Sequence, residues 1–316
     1  MKKLLFVMLL VCMIFSCGSD KKENPMSKDE EIYKKSGIKE TIAYLEKKIR
    51  SEPGKKAFYY ARMGYYYIEE ADFKNAEESL KKSLEIDSDM AFAYNELGYL
   101  YGLQGKKELA LESYLKGTKS KEEIPENFYG VGSTYLELGK YKEAESYLQK
   151  SVALYEKRGG AGDKQRAGKA TRGLYFVYWN IKDKEEVKKF ISDSISKNLD
   201  KSYFCNQMAH FYNSEGKFDE ALKYNLDGIK ADPEYSENYF GAGVNYYRKG
   251  NRKQALEYIE KVVPMYKKSQ NSEYLAAAYA YLYKINIEEG NKERADEIEA
   301  VAAQELSKEN WEKSKF

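Results

Sequence analysis

A single histidine, His210, serves the whole chain, so paired-imidazole metal sites are absent and any Ser-His-Asp or Cys-His relay would run through that one ring. It falls inside a helical pattern, not on the strained turn that presents a nucleophile. Acidic pairs such as Glu77 with Glu78 and Glu185 with Glu186 lie on outward helix faces, where solvation explains them better than acid–base chemistry. The stretch from Gly162 to Thr171 imitates a phosphate loop and fails as one. Five residues separate Gly162 from Gly168, Ala170 follows Lys169 where a hydroxyl is required, and no strand leads in. No zinc spacing, dinucleotide loop or nucleophile elbow occurs. The expectation is a protein without catalytic residues, cofactor or metal, whose chemistry is binding.

The elements that would position binding residues repeat. From Glu126 to Ser151, Phe128, Val131 and Tyr135 mark one helical face at i, i+3 and i+7, with Gly132 where a second helix crosses. Gly139 ends the first helix; Ala144, Leu148 and Ser151 form the buried face of the second. Ala144 is the expected neighbour of Gly132. The crossing position recurs 34 residues apart as Gly64, Gly98 and Gly132, and again as Tyr175, Ala209 and Gly243. An aromatic follows three residues later each time, as Tyr67, Tyr101, Tyr135, Tyr178, Tyr212 and Tyr246. Those slots absorb much of the high tyrosine content, 31 of 316 residues. One helix pair leaves apolar faces open on both sides, and stacking closes them.

This pattern resembles the tetratricopeptide repeat (TPR) family from Lys56 to about Gln304, with half a unit at Gly37 to Pro53. The resemblance implies an all-α solenoid, a right-handed superhelix of antiparallel helix pairs. It would hold about seven repeats, an N-terminal half repeat and a C-terminal capping helix carrying Ala295, Ile298, Ala302 and Leu306. Departures fall at Tyr175 and Val187, at Cys205 and Asn225, and at Asn286 and Glu299. In that fold the first helices line a concave groove. The groove positions here are Tyr65, Asn95, Tyr99, Tyr129, Arg172, Phe176, Asn206, His210 and Phe240, with Phe58, Phe92, Lys169, Trp179, Tyr203 and Tyr247 adjoining. So many rings exceed what packing needs and point to a partner. The Lys and Asn clamp by which some family members hold a C-terminal carboxylate is absent: Ala61, Tyr65, Tyr99, Glu126 and Gly130 occupy its places.

The N-terminus carries Lys2 and Lys3, then an apolar run from Leu4 to Phe15, too short for a bilayer span of about 20 residues. Ile14, Phe15, Ser16 and Cys17 resemble a bacterial lipobox, although Phe15 is larger than usual there. The resemblance implies lipidation of Cys17 and a mature chain that begins with it. Loss of residues 1–16 leaves 51 basic against 51 acidic residues, which gives no basic surplus for nucleic acid. Cys205 would then have no disulfide partner and reads as a packing residue.

The expected layout is a lipoprotein signal peptide at 1–16, a lipidated N-terminus and flexible tether at 17–29, and a first TPR block at 30–156. A Gly-rich hinge at 157–168 follows, then a second block at 169–266 and a terminal repeat with capping helix at 267–316. Pro264 should end or kink the helix it lies in. The combination resembles, in general plan, TPR lipoproteins of outer-membrane barrel assembly and of type IV pilus assembly. It implies a membrane-anchored scaffold on the periplasm-facing outer membrane of a bacterial envelope, binding an envelope protein or peptide. The alternative is a glycan or peptidoglycan binder, since rings also stack on sugars.

Overall fold

The computed structural model describes residues 27–314; residues 1–26, on which the expected signal peptide and Cys17 fall, and residues 315–316 lie outside them. The described residues form helices and short turns, with no strand among them. They divide into two compact units that part after Lys184.

In the first unit the helices are α1 (Lys28–Ser36), α2 (Ile38–Ser51), α3 (Lys56–Glu69), α4 (Phe73–Ile86) and α5 (Ala91–Leu103). They continue as α6 (Lys107–Gly117), α7 (Pro125–Glu137), α8 (Tyr141–Arg158) and α9 (Ala161–Ile181). Each first helix turns back on its second: α3 packs on α4, α5 on α6, α7 on α8, and the first helices α3, α5, α7 and α9 pack side by side. The crossing point works by close approach. A Cβ on Gly64 would stand 2.5 Å from Leu80 Cγ, and one on Gly132 would stand 2.6 Å from Leu148 Cγ. The nearest side chain to the crossing glycine is therefore the bulky apolar residue of the second helix, while the small residue expected there approaches through its carbonyl, as Ala76 does at 3.3 Å from a Cβ on Gly64. Leu80 and Leu148 are fully buried, each stabilising the fold by about 2 kcal/mol.

The ends of α4, α6 and α8 are tied down by one of two devices. Ser83 Oγ donates to the Ala57 carbonyl at 2.8 Å, and Ser151 Oγ to the Pro125 carbonyl at 3.0 Å. Where that second-helix position is Gly117, the next first helix supplies Asn127, whose amide fills the space and donates to the Ala91 carbonyl at 3.0 Å. Serine from within the repeat and asparagine from the next repeat thus satisfy the same carbonyl position.

Two expectations of the layout are corrected in this unit. The tether does not extend to residue 29, because α1 starts at Lys28 and Asp29 is buried against Arg62 at 2.6 Å. The N-terminal half repeat expected at Gly37 to Pro53 is the single helix α2, and α1 packs on it from the N-terminal side in sequence. The Gly-rich hinge is almost entirely helix: the inserted residues lengthen α8 to 18 residues and α9 to 21, leaving only Gly159 and Gly160 between them. Gly159 takes φ 69, the left-handed form that suits a helix end. Arg158 clamps the turn by donating to Asp163 at 2.9 and 2.6 Å and to Glu126 at 2.7 Å.

The second unit comprises α10 (Lys184–Ser196), α11 (Lys201–Ser214), α12 (Phe218–Ala231) and α13 (Ser236–Arg248), then α14 (Arg252–Lys268), α15 (Ser272–Glu288), α16 (Lys292–Glu305) and α17 (Lys308–Ser314). The Gly–Asn device returns as Gly228 with Asn238, whose amide donates to the Ser202 carbonyl at 3.0 Å. Asn225, a departure from the apolar pattern, extends that network by donating to Asn238 Oδ1 at 3.3 Å and accepting from Asn245 at 3.0 Å. Pro264 does not end α14, which runs on to Lys268 with Val262 and Tyr266 buried. Ala295, Ile298, Ala302 and Leu306 are buried as a capping helix requires. The short α17 adds Trp311, buried edge-on to Tyr283 at 6.3 Å. Cys205 is buried and free, and burial pushes its thiol up to about 11, so it is a packing residue.

Candidate functional site

In the first unit the predicted groove residues lie at matching positions on adjacent first helices. Tyr65 is on α3, Asn95 and Tyr99 on α5, Tyr129 on α7, Arg172 and Phe176 on α9, and all six are half-buried. Half-burial is what an inward-facing ring shows when its base packs on the neighbouring helix and its tip meets solvent. Tyr65 packs edge-on to Tyr66 at 5.2 Å and lies under the Arg62 guanidinium at 5.2 Å. Tyr99 lies against the core of α5 and α6, and Phe176 meets Tyr141 edge-on at 5.9 Å. Phe58 and Trp179 are among the most exposed large apolar residues, at 43% and 58%.

The sequence did not single out Glu96, which lies on the same face. It is 6% exposed, accepts a hydrogen bond from the Asn95 amide at 2.9 Å, and has no cation within ion-pair distance. Burial pushes its carboxyl up to about 7; the Asn95 hydrogen bond and Arg62 oppose that, while Glu69 and Glu126 add to it. Tyr65 is raised too, first by burial and then by Glu69 and Glu96, which places these groups in one electrostatic neighbourhood. Glu69 is raised by burial and by Glu70. The signal in the sequence was only an acidic residue between two groove positions, indistinguishable from a solvated glutamate.

In the second unit the predicted residues do three different things. Asn206 is 5% exposed and donates to the Glu237 carbonyl at 3.3 Å, tying α11 to α13. Phe240 is half-buried among Tyr266, Tyr274 and Tyr281, with centroids 5.7 to 6.4 Å away, and serves as a packing ring. Only His210 keeps its side chain exposed. Protein crowds that ring although one side meets solvent, and this burial, with the Arg248 guanidinium, holds the imidazole below its ordinary value. Tyr247, on α13, donates to Glu288, lies under Arg252 at 4.5 Å, and is pushed up to about 12 by burial and by Glu288.

Among the described residues no group of three or more His, Cys, Asp or Glu side chains could hold a metal ion, and no helix is long and apolar enough to cross a membrane. The arrangement offers aromatic faces, hydrogen-bond donors and a few carboxyls along packed helices. That is recognition chemistry.

The family model described as tetratricopeptide repeat matches residues 59–90, 93–124, 125–158 and 202–235. The chain is 27% identical over 285 residues to the TPR repeat-containing protein MJ1428 of Methanocaldococcus jannaschii, covering 83% of this chain and 46% of that protein. It is 23% identical over 167 residues to the type IV pilus assembly protein PilF of Pseudomonas aeruginosa, covering 52% of this chain and 63% of that protein. It therefore spans less than two thirds of either relative. A solved structure of P. aeruginosa pilF superposes with a TM-score of 0.52 at 18% identity, covering 68% of this chain and 96% of that one. The C-terminal part of a TPR repeat-containing protein from Cytophaga hutchinsonii superposes with a TM-score of 0.57 at 13% identity, covering 81% of this chain and all of that one.

Proposed function

We propose that this chain, whose repeats are tetratricopeptide repeats, is a non-enzymatic, membrane-anchored scaffold that holds a protein or peptide partner in the bacterial cell envelope. The observation that carries the reading is the series Tyr65, Tyr99 and Tyr129. These rings recur on one face of packed first helices, Tyr65 and Tyr99 one residue beyond the crossing glycine and Tyr129 three before it, and stay half-exposed, while the helix-crossing positions are filled by Leu80, Tyr114 and Leu148. The assembly role in the name of the P. aeruginosa relative is compatible with a scaffold. Support for the anchor is the sequence pattern of Lys2, Lys3, the Leu4 to Phe15 run and Ser16–Cys17. Acylation of Cys17 by two or three chains would hold the protein on the periplasm-facing outer membrane, each buried methylene contributing about 0.8 kcal/mol.

The test is affinity capture from solubilised membranes with wild type, Tyr99→Ala, Tyr129→Ala and Cys17→Ser, with melting measured on each. A truncated interface anchor costs a complex about 2 kcal/mol or more, whereas these half-exposed rings should cost the fold no more than about 1. Wild type should therefore capture a partner that the two tyrosine variants lose while still melting nearly normally. Cys17→Ser should leave the membrane fraction. Undiminished capture by both tyrosine variants places function on another face, and retention of wild type on purified cell-wall sacculi, lost with the same rings, replaces the protein partner by a glycan.

A further inference from the structure

We infer that the inner face between α3 and α5 receives a basic side chain, lysine or arginine, presented by a peptide segment of the partner. The inference rests on that face being the binding surface. It adds the chemistry of what binds there.

Two carboxyls on this face have no counter-charge. Glu96 is buried with one hydrogen bond, from Asn95, and Glu69 has no ion-pair partner. The cation that acts on Glu96, Arg62, is already committed. Arg62 donates to Asp29 at 2.6 Å, to Glu30 at 3.3 Å and to the Tyr66 hydroxyl at 2.9 Å, so two carboxylates share its single charge. Farther along, Glu126 is held by Arg158 at 2.7 Å. A buried carboxyl without a cation stays partly protonated, and burial pushes Glu96 up to about 7. An arriving ammonium or guanidinium would supply the missing charge through a charge-assisted hydrogen bond.

The rings favour the same ligand. Tyr65 already carries a guanidinium over its face, that of Arg62 at 5.2 Å, so this position accepts cation–π geometry. A metal ion fits poorly, since the described residues hold no cluster with enough ligating groups. An acidic segment would bring a third negative group to carboxyls that already repel one another. A basic side chain meets both demands, with its charge on the carboxyls and its methylene stem along the rings.

The probe is a phage-displayed library of random dodecapeptides selected in parallel on wild type, Glu96→Gln, Glu69→Gln and Tyr99→Ala. Glu69 is exposed, so its variant cannot fail by misfolding; circular dichroism checks the Glu96 variant. Peptides enriched on wild type should carry lysine or arginine, and a synthetic copy of the consensus should bind Glu96→Gln and Glu69→Gln at least tenfold more weakly. Replacing its basic residue by glutamine should cost wild type a similar factor and leave the Glu96 variant indifferent. Enrichment of neutral or acidic peptides that depends on Tyr99 overturns the basic ligand and leaves the binding surface standing. Enrichment no different among the four proteins overturns both.

Discussion

Ala71 holds a left-handed backbone, φ 56, at the turn position where four other repeats use Gly105, Gly139, Gly216 and Gly250. A Cβ in that region costs about 1 to 2 kcal/mol, and glycine gives part of it back as unfolded-chain entropy. Ala71→Gly should therefore raise stability by about 1 kcal/mol in chemical denaturation, and a loss of stability would show that the turn is held by something other than backbone strain. Glu96 supplies a pH signature. Its folded value, about 7, lies above its ordinary 4.5, so the folded protein holds a proton that the unfolded chain releases. Its contribution is fully present below pH 4.5 and is lost as pH rises through about 7, by an amount on the order of 3 kcal/mol. The groups facing it are Arg62 and Glu69 from α3, Asn95 from α5 and Glu126 from α7. Glu96→Gln should match wild type near pH 4 and exceed it at pH 8; parallel stability curves for the two proteins would show that Glu96 does not titrate in this range.

Between elements, the turn joining α8 to α9 shows how an apparent loop becomes a fixed corner. Three glycines within four residues suggest flexibility, but Gly162 lies in the first turn of α9 and Asp163 is buried there as a staple. Burial opposes the Asp163 charge, yet the hydrogen bonds from Arg158 and the Gly160 N–H outweigh it and hold the carboxyl below its ordinary 3.8. The stability it gives is present above pH 3.8 and is lost as pH falls through the depressed value. Asp163→Ala should cost about 2 kcal/mol and open Arg158 to Arg166 to trypsin, which the wild type should resist there. Early cleavage of wild type within those residues would show that the corner moves. The Gly117–Asn127 and Gly228–Asn238 pairs make a related point. Each glycine looks like a weak spot in its own helix until the asparagine of the next helix is seen to occupy the space.

At the scale of the molecule, two units with their own cores predict two cooperative transitions. Leu148→Ala in the first and Ile259→Ala in the second, both fully buried, should each cost about 3 kcal/mol and each move a different transition in calorimetry. One transition shifted equally by both would mean a single cooperative block. The sequence alone determined the repeat period, the helix pairing and the face on which Tyr65, Tyr99 and Tyr129 recur, because each follows from spacing along one helix or from a period of 34. It also supplied the Cys17 expectation, which lies outside the described residues. Tertiary structure alone decided where the chain divides, how the extra residues before Tyr175 were absorbed into longer helices, and that Asn206 and Phe240 pack while Glu96 is buried without an ion-pair partner. Those outcomes depend on which neighbouring helix supplies a donor, a ring or a charge. Contacts between residues far apart in the chain leave no mark on local periodicity.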